Sequence, residues 1–228
     1  MKWLPVFALL IICLASCSKD GDQKSRFEIY NKGGDGNTTA HLLGRVDKDV
    51  IDLRPKLVII MIGTNDVNQN IPFTQFKANL ASVINRIKIA GADVLLMSPP
   101  PRGVDVISFP EYEHNDITDT ITKIHNELSK ELGCYYLDMN KLFKDAGTPN
   151  PTASSMIFNA ANNPERPDGI HPNAKGMLFI ATKLFNFMQA NLPSIKSGDV
   201  TIVCFGDSIT WGAGSNLSYP SQLSKLLN

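Results

Sequence analysis

The stretch Lys56-Leu57-Val58-Ile59-Ile60-Met61-Ile62-Gly63-Thr64-Asn65-Asp66 decides the fold class. Its apolar part carries no polar residue at alternate positions, so it does not read as a strand with one wet face. It reads as a strand buried on both faces, the habit of parallel sheets covered by helices. Four more short runs rich in β-branched or aromatic residues read as strands: Phe27–Asn31, Ala92–Ser98, Cys134–Asp138 and Val200–Phe205. Between them apolar residues recur at helical spacing: Leu42, Leu43, Val46, Val50 and Ile51; Phe73, Phe76, Leu80, Val83, Ile84 and Ile87; Ile117, Ile121, Ile124, Leu128 and Leu132. A fourth pattern, Met177, Ile180, Ala181, Leu184, Phe185 and Met188, is announced by Pro172-Asn173 and stopped by Pro193. Strands alternating with helices require crossover connections, so the expected fold is α/β, with a five-stranded parallel sheet between two helical layers.

Working outward, residues 27–228 contain no Pro/Gly/Ser-rich linker, which points to one domain. The stretch from Lys144 to Pro167, rich in Asn, Pro and Ala, is long for a loop and reads as a functional excursion. Hydrophobic residues make up 43% and charged residues 19% of the 228, the profile of a globular chain able to bury a core. Lys+Arg and Asp+Glu both number 22. With no net positive field to hold a phosphate backbone, nucleic acid is not an expected partner.

The amino end is a separate matter. Met1-Lys2 precedes an apolar stretch from Trp3 to Leu14, then Leu14-Ala15-Ser16-Cys17 and a polar run to Arg26. The apolar stretch is shorter than the roughly 20 residues that span a bilayer, so it reads as a secretory signal. Because Cys17 follows Leu-Ala-Ser directly, the segment resembles a bacterial lipoprotein signal. That implies a signal over residues 1–16, a lipidated Cys17 with a tether over 17–26, and a location in the bacterial cell envelope with the membrane met only through the lipid. Cys134 and Cys204 then read as buried small hydrophobes, and no Cys or His spacing suggests a metal.

In an open parallel sheet the ligand crevice lies beyond the carboxyl ends of the strands, so the informative residues follow each apolar run. There stand Gly206-Asp207-Ser208, Gly33-Gly34-Asp35-Gly36-Asn37-Thr38-Thr39, Gly63-Thr64-Asn65-Asp66 and, before the last long helix, Asp168-Gly169-Ile170-His171-Pro172-Asn173. They supply a hydroxyl nucleophile (Ser208), an imidazole base (His171), a carboxylate three residues from it (Asp168), and candidate oxyanion donors in the Ser208 and Gly36 N–H groups and the Asn65 amide. That inventory suits acyl transfer: an imidazole can take the serine proton, a carboxylate can fix its tautomer, and aimed N–H groups can hold the developing oxyanion. Each motif alone has a plainer reading as a turn, since Gly, Asp, Asn and Ser are the common turn formers. Gly33–Thr39 also lacks the lysine of a phosphate-binding P-loop. His41, His114 and His125 sit among polar residues and read as solvated.

Taken together, the four motifs resemble the SGNH, or GDSL, hydrolase superfamily. Ser208 matches its nucleophile, Gly36 the glycine of an Asn-x-Gly-x-x-Gly-x-Thr segment written here Asn31 to Thr38, Asn65 the asparagine of Gly-x-Asn-Asp, and Asp168 and His171 its Asp-x-x-His pair. Gly34 and Asp35 depart from it, standing where relatives often carry an apolar residue and a serine. The resemblance implies a flavodoxin-like sheet and ester hydrolysis through an acyl-enzyme, with no metal or organic cofactor. In that family the serine motif comes first, whereas here it comes last, so the chain resembles a circularly permuted member. The expected substrate is a small-molecule or glycan ester, with acetyl groups on carbohydrates as the first choice. The rivals are a lysophospholipase or short-chain lipase and a catalytically silent glycan-binding lipoprotein.

Overall fold

The computed structural model describes residues 26–103 and 115–228. Cys17 and the signal and tether expected before residue 26 lie outside the described residues, as does His114. Five parallel strands form one sheet: β1 (Phe27–Gly33), β2 (Leu57–Met61), β3 (Asp93–Met97), β4 (Tyr135–Leu137) and β5 (Val200–Gly206). Their spatial order is β1-β5-β2-β3-β4. The last strand in the chain is thus an interior strand of the sheet, paired on one side with the first. The α/β class and the parallel five-stranded sheet are as the apolar runs imply.

Side chains alternate across the sheet, as the pleat demands. On one face Leu57, Ile59, Met61, Ile202 and Cys204 meet α5 (Met139–Asp145), α6 (Ala174–Asn191) and α8 (Tyr219–Leu227) through Met139, Phe143, Ile180, Leu184 and Leu223. On the other, Val58, Ile60, Ile62, Val203 and Phe205 meet α1 (Thr39–Asp49), α3 (Phe73–Ile89) and α4 (Asn115–Glu131) through Leu42, Val46, Phe76, Leu80 and Ile121. Burial of each such aliphatic side chain contributes about 1.5–3 kcal/mol, so the two cores hold the strand ends in fixed register. Asn173 caps α6, its side chain accepting from the Lys175 and Gly176 N–H groups, where the Pro172-Asn173 signal places the start.

Three local expectations are corrected. β1 runs on to Gly33 because Gly33 still pairs with Gly206. Thr64–Asn68 is a short helix, α2, entered through Gly63 at φ +125, so β2 stops at Met61. His125 is buried, not solvated. It falls on the stripe Ile121, Ile124, Leu128 at helical spacing, its ring lies against Phe76 with centroids 5.6 Å apart, and burial lowers its pKa to about 4. Of the two cysteines read as buried, Cys204 is buried and Cys134 is half-buried.

Gly33, Gly206, Met61, Met97 and Leu137 stand level across the sheet, since successive pairings match Gly33 with Gly206, Gly206 with Met61, Met61 with Met97 and Met97 with Leu137. The loops beyond β1, β5 and β2 therefore open at one edge. At the opposite edge Asn228, after α8, meets the start of β1, its side chain donating to the Phe27 carbonyl at 3.3 Å.

Candidate active site

Ser208 stands at the first position of α7 (Ser208–Trp211), one turn of helix directly beyond β5, with Asp207 capping it by accepting the Ile209 N–H. This places the Ser208 N–H among the first donors of a helix, which have no intrahelical acceptor. Asp168 and His171 come from the other side. The segment from Phe158 to Pro172 is folded back on itself: Phe158 N–H donates to the His171 carbonyl, Gly169 N–H to the Phe158 carbonyl, and Ile157 bridges Pro172. Asp168 then closes a tight turn, its Oδ1 accepting the Ile170 and His171 N–H groups at 2.8 Å each.

The three side chains form one hydrogen-bonded series. His171 Nδ1–H donates to Asp168 Oδ2 at 2.9 Å, which leaves Nε2 to accept the Ser208 hydroxyl at 2.8 Å. Burial raises the Asp168 pKa, but the hydrogen bond and charge of His171 outweigh it and hold the carboxyl below its ordinary value. For His171 burial disfavours the charged ring, yet Asp168, with Asp207 and Asp35 behind it, raises the imidazole above 6.5. Ser208 is 9% exposed, so its hydroxyl is sheltered and still reachable.

The oxyanion candidates lie in loops stapled to one another. Asn65 donates through its amide to the Asn37 carbonyl at 3.0 Å, which ties α2 to the loop holding Gly36. Gly36 sits at φ +68, a conformation costly for residues with a Cβ, and nothing lies within 4 Å of where a Cβ would be. Asp66, next to Asn65, accepts both the Thr39 N–H and its hydroxyl, joining the start of α1 to α2.

Sequence reasoning missed several residues that build this edge. Arg45 donates to Asn37 Oδ1 and to the Lys32 and Gly206 carbonyls, clamping the loops after β1 and β5 together, with its guanidinium over the Phe205 ring. Its one local partner, Asp49 at i+4, marks only a helix-surface ion pair; the three partners that make the clamp are 8, 13 and 161 positions away. Asp207 is fully buried and its Oδ2 finds no partner among the described residues; burial pushes its pKa up to about 7. Asn159 and Asn162 organise the excursion before Asp168, the Asn159 amide donating to the Asn150 and Thr152 carbonyls and Asn162 to those of Ser155 and Ile157. Their density in the Asn-rich stretch is a signal that could have found them.

Ser208 and His171 open into a cleft of about 960 Å³ whose walls include Asp35, Phe158, Met177, Trp211 and Leu217. A sheltered hydroxyl bonded to an imidazole that is oriented by a carboxylate, at the carboxyl edge of a parallel sheet, is the arrangement that serine hydrolases use. The chain belongs to the GDSL-like Lipase/Acylhydrolase family, whose model matches residues 21–178, and with that membership goes esterase chemistry. The match takes in Gly36, Asn65, Asp168 and His171 and ends before β5, the strand that leads into Ser208. An acetylxylan esterase of Geobacillus stearothermophilus is 26% identical over 163 residues, covering 67% of this chain and 68% of that protein. Another, of Xylanibacter ruminicola, is 27% identical over 152 residues, 57% of this chain but only 28% of the relative. Among solved structures, a lipase/acylhydrolase from Enterococcus faecalis shares the fold, with a TM-score of 0.56 at 21% identity over 71% of this chain and 75% of that one.

Proposed function

We propose that the protein removes acetyl groups from carbohydrates through an acyl-enzyme on Ser208. The observation that carries this reading is the Ser208–His171–Asp168 series, with links of 2.8 and 2.9 Å, opening on a roomy cleft. His171 Nε2 takes the Ser208 proton as the oxygen attacks the ester carbonyl, then returns it to the leaving alcohol; water repeats the sequence to release acetate. Asp168 holds the tautomer and stabilises the imidazolium. The Ser208 and Gly36 N–H groups and the Asn65 amide receive the oxyanion. The similarity to acetylxylan esterases supports an acetylated glycan as substrate.

The serine strand's place, last in the chain yet between β1 and β2, supports the permuted reading, as does a family match that stops before it. Lipidation at Cys17 would anchor the protein in the cell envelope. Phe27 begins β1 at the edge opposite the site, about 20 Å away along seven residues of strand, so the catalytic edge would face away from the membrane. Labelling with a fatty-acid probe, abolished in Cys17→Ser, tests the anchor.

Acetate release from acetylated xylo-oligosaccharides and p-nitrophenol release from p-nitrophenyl esters of increasing chain length test the chemistry. Wild type is expected to prefer acetyl esters, with Ser208→Ala reduced at least a thousandfold, the scale of losing a nucleophile. A preference for long acyl chains would favour the lipase reading. Equal inactivity of both forms on every ester would end the enzyme reading in favour of binding.

A further inference from the structure

Among the described residues, Trp211 is the large aromatic side chain that the fold leaves exposed in the cleft: it is 39% exposed and lines the same walls as His171 and Ser208. An indole in water forgoes a burial worth more than that of most side chains, so a rigidly held, exposed one is a contact surface awaiting a ligand. Its backbone is held on three sides. Trp211 N–H donates to the Asp207 carbonyl, its own carbonyl accepts the Asn31 amide at 3.2 Å, and β1 approaches so closely that a Cβ on Gly33 would lie 2.1 Å from the Trp211 nitrogen.

The spacing sets what the indole can touch. Trp211 is three positions after Ser208 on the same helical turn, and side chains at that spacing are neighbours on one face, with Cβ atoms about 5–6 Å apart. In an ester of a sugar hydroxyl the carbonyl carbon lies two bonds from the ring carbon. When that carbonyl is at the Ser208 hydroxyl, the sugar ring itself falls within reach of the indole. An acetyl group occupies a small part of about 960 Å³, so the cleft is shaped for the alcohol side of the ester. Polar Asp35, Glu165 and Arg166 line it along with Trp211 and Leu217, the latter 49% exposed. A wall that sets an exposed indole, with Phe158 part-buried nearby, among carboxylates and a guanidinium suits a pyranose, which has an apolar face of C–H groups and a rim of hydroxyls, better than an alkyl chain.

We infer that Trp211 is the stacking platform for the sugar ring that bears the scissile ester, and hence the residue that makes the site select glycan esters over simple ones. This inference rests on the deacetylase reading above and goes beyond it in assigning the sugar contact to one side chain.

The test has an activity arm and a binding arm. Trp211→Ala should raise KM for acetylated xylo-oligosaccharides roughly ten- to a hundredfold, the worth of one large buried contact, while kcat on them changes far less. The ratio of kcat/KM on those glycans to that on p-nitrophenyl acetate should fall tenfold or more, and Trp211→Tyr should restore most of it. For binding, Trp3 and Trp211 are the two tryptophans of the chain, so in a Trp3→Phe, Ser208→Ala protein the emission comes from Trp211. Unacetylated xylotriose should change that emission saturably, and the change should be absent when xylotriose is replaced by hexanoate. An unaltered selectivity ratio in Trp211→Ala, a loss confined to longer p-nitrophenyl acyl esters, or emission that responds to hexanoate and not to xylotriose would each overturn the inference. A wild type with no esterase activity would sink the deacetylase reading instead, and the fluorescence titration would still decide whether the indole meets a sugar.

Discussion

Replacing Asp168 by Asn is the most informative single perturbation, because the structure separates what the change keeps from what it removes. Asn retains a side-chain oxygen in the place of Oδ1, where Asp168 accepts the Ile170 and His171 N–H groups at 2.8 Å, so the turn that carries His171 survives. What goes is the acceptor at Oδ2. An amide NH₂ there faces His171 Nδ1 and stabilises the ring with its proton on Nε2. That tautomer donates toward Ser208 and cannot take its proton, so the 2.8 Å contact persists while its chemistry is lost. Loss of the orienting carboxylate in the serine triad template costs about 10⁴ in kcat, and a loss of roughly 10³ to 10⁴ is expected here, equivalent to about 4–5.5 kcal/mol of barrier. The assay is acetate release under saturating substrate, with a circular dichroism melt to show that the variant is folded. The measured pKa of His171 should also fall, since the largest charge favouring the imidazolium is gone. A folded Asp168→Asn protein within tenfold of wild-type kcat would refute the reasoning.

Four further outcomes follow from the same geometry. Asn65→Ala should lower kcat by roughly 10² to 10³ with little change in KM, as for any donor that tightens on the transition state; a change confined to KM would remove Asn65 from the oxyanion site. The kcat/KM profile should rise with pH through a pKa above 6.5, because the raised pKa keeps His171 protonated, and unable to act as base, to higher pH. Removing the Asp35 charge in Asp35→Asn should move that limb to lower pH, and an unmoved limb would show that Asp35 does not reach the imidazole. Asp207 binds its proton more tightly folded than unfolded, with a folded pKa of about 7 against 3.8, so wild-type stability is lost as pH rises from about 4 to 7 and is flat above. Asp207→Asn should remove that loss, its melting-temperature advantage opening over this window; equal melting profiles would mean the carboxyl stays charged.

How much of this was legible in the chain follows from where each signal is stored. The fold was readable from Leu57–Ile62 because burial on both faces of a strand leaves a local trace, and the same holds for α6 between Asn173 and Pro193. Ser208, Gly36, Asn65, Asp168 and His171 could be gathered because each lies just beyond a strand or before a helix, where an α/β sheet builds its crevice. His125 was misread because its polar ring hides in an apolar stripe that only helical counting exposes. Arg45 and Asp207 escaped for different reasons: one joins the two loops through main-chain carbonyls that carry no sequence identity, the other is marked by a carboxylate oxygen without a partner among the described residues. The role of Trp211 required knowing that Asn31 and Gly33, some 180 positions away, lock its backbone.

The central claim is that the Ser208 hydroxyl attacks with His171 as its base. Stoichiometric reaction with diisopropyl fluorophosphate followed by peptide mass spectrometry tests it most directly. The account predicts one label per chain, on Ser208, formed orders of magnitude more slowly in His171→Ala. A label on another residue, or full ester hydrolysis by a protein whose Ser208 stays unmodified, would contradict it.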